Sequence, residues 1–216
     1  MKIPVLWENE HLLVANKPAG ILSQPDKSGG SDVAALLRSS LGLAFLAPVH
    51  RLDRNTSGCL LLAKSSGAAA QACRLLRAGK VKREYLAVVK GDPGERGSVD
   101  APLRKDESTN QSSVDEEDGA AAVTHFTREK RMSATSVLRL RLEQGRSHQI
   151  RAHMAHVRCP LVGDRKYGRR PWSEIFHRPA LHAQLLEFPD PASKRMIRVE
   201  APVPEDLSEL IQKLGG

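Results

Sequence analysis

His50-Arg51-Leu52-Asp53-Arg54-Asn55-Thr56-Ser57-Gly58 runs directly into Cys59-Leu60-Leu61-Leu62-Ala63. The second block is a short, continuous apolar run without alternation, the pattern of a strand buried on both faces. The first block has the composition of a turn, because Asp, Asn, Thr and Ser bond to nearby backbone and Gly tolerates left-handed geometry. Taken alone, Asp53 is most simply a turn-former. A charged turn at the mouth of a central strand is also where a rigid scaffold presents catalytic groups.

Upstream, Leu12 to Ala15 forms a strand that ends at the turn Asn16-Lys17-Pro18-Ala19-Gly20. Ser31-Asp32 caps a helix carrying Val33, Leu36 and Leu37, closed by Gly42. Downstream, Ser65-Ser66 opens a helix through Leu76 that Gly79 stops, and Tyr85 to Val89 is another strand. Residues 104–119 are polar and acidic and read as a loop or mobile arm. Thr135 to Leu142 alternates, with Leu138, Leu140 and Leu142 on one side and Arg139 and Arg141 on an open basic side. Gly145-Arg146-Ser147 then leads into a helix with Ile150, Met154 and Val157 as its buried stripe. On that helix His148 and Arg151 share a face, one able to hold an anion near the helix start. Leu181 to Phe188 and Arg195 to Glu200 are strands, and Leu207, Leu210, Ile211 and Leu214 mark a C-terminal helix. This irregular interleaving gives an α+β class with a mixed, largely antiparallel sheet and flanking helices. No linker divides the chain, so residues 1–216 are expected to form a single domain.

No apolar run approaches the roughly 18 residues that cross a bilayer. The start has no signal-peptide pattern, and the three cysteines form no CxxC pair. A reducing, cytoplasmic setting without membrane contact is expected. The net charge is +8, which suggests an acidic partner. Between Arg128 and Arg170 lie twelve Lys or Arg against three acids, so the excess is concentrated there. Arginine dominates, and its planar fork suits phosphate. Aromatic residues make up only 4%, too few for a multi-base stacking platform. His148, His153 and His156 invite a metal reading, but only the last pair shares a helix face and no HExxH pattern completes a site. No glycine-rich phosphate loop and no GxSxG elbow are present.

His50 to Gly58, followed by the apolar strand and Ala63-Lys64, resembles the signature of RluA-type pseudouridine synthases. Gly145 to His153, with Gly163-Asp164-Arg165-Lys166-Tyr167-Gly168, is similar to that family's second signature. Lys82-Arg83-Glu84-Tyr85 and Asn16 to Gly20 fall in the family's order, and the resemblance spans about Leu12 to Ala201. It implies a pseudouridine synthase fold with a cleft across the sheet, and isomerisation of uridine in rRNA or tRNA by a base-flipping enzyme. By resemblance Asp53 is the catalytic aspartate, Arg151 the basic residue paired with it, and Tyr85 the tyrosine against the target base. Arg51 matches the arginine that fills the vacated base stack. His50, Arg146 and His148 are expected to contact substrate, with Arg139 and Arg141 holding phosphates. The isomerisation is redox neutral, so neither cofactor nor metal is expected, and compact members of the family suggest a monomer without an S4-like domain. Arg158 stands where the family usually has Gly, and the 104–119 segment is acidic where members carry an RNA-contacting arm. A non-catalytic RNA-binding or ribosome-assembly protein on the same fold is the alternative, and a metal-dependent hydrolase built on the histidines a third reading.

Overall fold

The computed structural model describes residues 2–25 and 31–215. The chain clusters into two compact units, residues 1–83 with 183–202 and residues 84–182 with 203–216.

The first unit holds β1 (Val5–Glu8), β2 (Leu12–Lys17), α1 (Val33–Ser40), β3 (Ala47–Pro48), β4 (Ser57–Ala63) and α2 (Ser66–Arg77). The chain leaves this unit within β5 (Lys82–Lys90), after Arg83, and returns within β11 (Leu181–Pro189), at Ala183; β12 (Met196–Glu200) completes the unit. The strand order is β1-β2-β4-β11, with β3 beside β4 and β12 beside β11. All seven β4 residues are buried, as the unbroken apolar run requires. Leu12, Val14, Leu61, Ala72, Phe188 and Val199 belong to one core cluster. Asp32 and Ser65 cap α1 and α2 by accepting from Ala35 N–H and Ala68 N–H.

The second unit holds the rest of β5, β6 (Arg96–Asp100), β7 (Leu103–Asp106), β8 (Gln111–Val114), β9 (Val123–Arg131), β10 (Thr135–Leu142), α3 (Gln149–His156) and α4 (Glu205–Gly215). Its strands run β5-β10-β9-β6, and β7-β8 form a separate pair. Every pair of named strands whose register is defined is antiparallel. Leu86, Val88, Val137, Phe176, Leu207 and Leu210 form its main core cluster.

Three local expectations change. Residues 104–119 are not a loop: β7 and β8 make a hairpin whose turn includes Asn110 at φ +51°, and Asp115 organises the turn that follows. Its low apolar content hid it, because its register rests on backbone pairing and a few side-chain bonds. Val157 lies beyond α3 and is exposed, since the helix ends at His156. His148 does not share a face of α3 with Arg151; it is the residue before the helix, at φ +53°.

The end of α3 explains the odd Arg158. Arg158 N–H bonds the Ala155 carbonyl at 3.0 Å and Cys159 N–H bonds the Met154 carbonyl at 2.8 Å. Those two bonds define a Schellman cap, whose left-handed position favours Gly. Arg158 occupies it at φ +61°.

Candidate active site

In the first unit, register sets Lys17 opposite Gly58, so the lysine that closes β2 meets the loop that opens β4. Its side chain is fully buried, and its ammonium donates to the carbonyls of Pro18 (3.0 Å), Arg54 (2.9 Å) and Thr56 (2.8 Å). A buried ammonium is tolerated when its three donors are satisfied, and here they are. Ser23 grips the same loop, its hydroxyl accepting from Leu52 N–H at 3.0 Å and donating to Leu52 C=O at 2.9 Å. Thr56 N–H reaches the Asp53 carbonyl at 3.0 Å, closing a turn over Arg54 and Asn55. Gly58 sits at φ +112°, and a Cβ there would stand 2.1 Å from the Ala183 carbonyl oxygen. Only Gly fits.

Anchors and presented groups alternate along this loop. His50 and Leu52 are buried, Arg51 is exposed and Asp53 half-buried. His50 Nε2 accepts from Leu61 N–H at 3.2 Å. Burial, then the positive charge of Arg83, lowers the His50 pKa to about 3, against a weak opposing pull from the Arg51 carbonyl. The ring is therefore neutral, and with Nε2 accepting, its proton resides on Nδ1.

In the second unit, Tyr85 is buried on β5 opposite Leu140 of β10. Arg151 is buried on the first turn of α3 and grips Asp164 bidentately, Nε to Oδ2 at 2.7 Å and Nη2 to Oδ1 at 2.9 Å. Asp164 is itself fully buried and accepts the N–H groups of Lys166 and Tyr167. The Tyr167 ring lies 5.0 Å from the Arg151 guanidinium carbon, within cation–π reach. The Tyr167 oxygen accepts from Ser112 N–H at 2.7 Å and bonds His148 Nδ1 at 3.0 Å. The β7-β8 hairpin is thus joined to the start of α3, a link reinforced by Ser112 Oγ donating to the Ser147 carbonyl at 2.7 Å.

Gln149 organises the approach to α3. Its carbonyl oxygen accepts from Arg146 N–H, and its amide donates to the Val123 carbonyl and Thr124 Oγ1. Arg146 is exposed, its Nε bonding the Ala121 carbonyl at 3.1 Å. His153 uses both ring nitrogens, towards Thr124 Oγ1 and the Ala101 carbonyl, each at 2.9 Å. Among the described residues no group of His, Cys, Asp and Glu is arranged to hold a metal. The open basic face expected on β10 is half neutralised, because Arg139 is paired with Glu84 and Glu129 while Arg141 stays exposed.

Sequence reasoning assigned no role to Lys17 or Ser23, and read Asp164 and Tyr167 only as residues that fix the shape of a glycine-bounded loop. Lys17 was visible only as a charged residue within the quoted signatures. Nothing in periodicity marks a lysine as fully buried.

An exposed arginine and a half-buried carboxylate on a rigid loop, with a buried arginine and tyrosine elsewhere, are groups suited to an enzyme that handles a nucleotide. A model of the family described as RNA pseudouridylate synthase matches residues 11–156. The chain belongs to this family, as an RluA-type member, and isomerises uridine in RNA to pseudouridine. It is 41% identical over 227 residues to a ribosomal large subunit pseudouridine synthase D of Xanthomonas campestris pv. campestris, covering 97% of this chain and 69% of that one. It is 38% identical to an uncharacterized RNA pseudouridine synthase of Bacillus subtilis, covering 99% and 73%. In fold it matches the human RNA pseudouridylate synthase domain containing 1, with TM-score 0.80, 22% identity and coverage of 99% and 94%. No helix among the described residues is long and apolar enough to cross a membrane.

Proposed function

We propose that this enzyme acts on ribosomal RNA of the large subunit, as the names of its relatives say of them, and that Asp53 is its catalytic aspartate. The reaction breaks the bond between uracil N1 and the ribose, turns the base and joins ribose to C5. The C5 proton is lost and N1 regains one, so atoms and electrons balance with no redox partner and no metal. Asp53 attacks or abstracts as a carboxylate, Tyr85 packs on the base, and Arg151 provides the opposing cation. Arg51 fills the stack left by the extruded base, whose flipping costs a few kcal/mol. His50, Arg146 and His148 bind the RNA. Residues 1–216 act as a single catalytic domain that works as a monomer in the cytoplasm.

The observation that carries the reading is the loop itself. His50 and Leu52 are sunk as anchors, while on the same backbone Arg51 is exposed and Asp53 half-buried. A loop that served only as a turn would not need a fully buried lysine and a serine to fix it. Asp53→Asn should fold and bind RNA as before and lower pseudouridine formation by about a thousandfold or more. Mapping pseudouridine in ribosomal RNA from cells carrying either form checks this, and undiminished product would remove Asp53 from the mechanism.

A further inference from the structure

The two units treat their positive charge differently. In the second, much of it is neutralised internally: Arg128 and Arg131 share Asp92, Arg139 takes Glu84 and Glu129, and Arg170 takes Glu174. In the first, residues 54–83 hold seven Lys or Arg and no Asp or Glu. Lys64 and Lys82 reach outside that stretch for partners, Glu8 and Glu187. Arg74, Arg77 and Lys80 do not. All three are exposed, and their side chains form no hydrogen bond or ion pair among the described residues.

The ordinary use of cations at a helix end does not account for them. Lys and Arg side chains there often bond the last carbonyls. At the end of α2 those carbonyls are already taken: Ala78 N–H bonds Arg74 at 3.0 Å, Gly79 N–H bonds Leu76 at 3.1 Å and Lys80 N–H bonds Leu75 at 2.9 Å. The last two bonds form a Schellman cap with Gly79 at φ +68°, which turns the chain and sets Lys80 beside the final turn. The helix dipole favours cations here, but at an exposed end water and salt screen it. Like charges three apart on a helix repel one another. The cluster therefore gains its counter-charge from outside the chain.

The same helix touches the chain that enters the Asp53 loop. Cys73 Sγ donates to the Val49 carbonyl at 3.7 Å, and Val49 directly precedes His50. Arg77 lies four residues on from Cys73, one turn further along the same face of α2. The molecule this enzyme receives is RNA, with a phosphate at every nucleotide. We propose that Arg74, Arg77 and Lys80 form an RNA-docking surface that holds backbone phosphates of the strand flanking the target uridine. The arginines supply planar forks that match phosphate oxygens, and the lysine adds a point charge. Such contacts set affinity and position on the strand and read no base. The inference rests on the reading of the His50–Gly58 loop as the one that receives the uridine.

The test uses the full chain, with labelled triuridylate and dodecauridylate as probes. The variant carries Arg74→Gln, Arg77→Gln and Lys80→Gln together; these side chains hold nothing in the fold, and urea unfolding verifies that it is intact. The variant should bind dodecauridylate about tenfold more weakly near 0.1 M salt, and triuridylate as wild type does. Its slope of log affinity against log salt should be smaller by about 2, because each phosphate contact on a single strand contributes about 0.7. A control with Arg38→Gln and Arg195→Gln, two other exposed arginines of the first unit, should keep the wild-type slope to within about 0.5. Dodecauridylate, but not triuridylate, should also shield Lys80 from acetylation, read by mass spectrometry. An unchanged slope in the triple variant overturns the proposal, as does an equal loss in the control or an acetylation rate at Lys80 that dodecauridylate leaves unaltered. Repeating the binding in Asp53→Asn separates the two claims, because the slope difference should persist whether or not Asp53 proves catalytic.

Discussion

The Asp53 loop and the start of α3 hold their key residues by opposite means. Around Asp53 the grip is on backbone: Lys17 takes three carbonyls and Ser23 takes both polar groups of Leu52. Around Arg151 the grip is on side chain: Asp164 holds the guanidinium fork and the Tyr167 ring covers it. The first arrangement fixes where a peptide runs. The second fixes where one charged group points. A loop that must offer a small carboxylate needs its path defined, whereas a long flexible arginine needs its tip held.

Asp164→Ala should break this contrast most severely. It leaves the Arg151 charge buried without its carboxylate, a change worth about 4 kcal/mol. Urea unfolding measures the loss, and a change under 1 kcal/mol would mean that Arg151 is held by other means. Lys17→Met should follow, at about 3 kcal/mol, because it removes three charge-assisted bonds while keeping the apolar stem. If the lysine acts on the path of the loop, pseudouridine formation should fall even where the variant is fully folded. Full activity in the folded variant would show that the path is set elsewhere.

A smaller effect comes from pH. Unfolded histidine titrates near 6.5, while His50 in the folded chain stays neutral to about 3. The unfolded state therefore takes up the proton first, so stability is complete above about pH 6.5 and declines as pH falls, by about 1.4 kcal/mol per unit. His153 adds to the decline in the same direction, its pKa lowered by burial. Comparing the pH dependence of unfolding in wild type and His50→Gln isolates the loop's share, and parallel curves would contradict a neutral buried His50. The smallest effect has the opposite sign. Arg158→Gly relieves a left-handed backbone at the cap of α3 and should stabilise the chain by about 1 kcal/mol, raising Tm by about 3 °C. A lower Tm would show that the Arg158 side chain makes up for its backbone strain.

The sequence carried the long elements well. The uniform apolar run became β4, and the alternation from Thr135 to Leu142 became β10 with the same limits. Both signals come from burial, which leaves a period in the chain. The β7-β8 hairpin left none, since Gln111-Ser112-Ser113-Val114 pairs through backbone and docks through single bonds to Tyr167 and Ser147. At the site, the order of the quoted motifs marked Asp53, Tyr85 and Arg151 from the resemblance alone. The supports behind them were hidden, because a lysine at 0% exposure or an aspartate bonded across 13 residues depends on tertiary partners that no local pattern encodes.

The grip of Lys17 has a consequence for how this enzyme can change. It binds the carbonyls of Arg54 and Thr56, and every amino acid has a carbonyl. The Lys17 bonds themselves therefore place no demand on which side chains stand at positions 54 and 56. The path of the loop thus depends on one lysine reaching peptide groups that every sequence supplies, so losing Lys17 would cost more than changing the residues it holds.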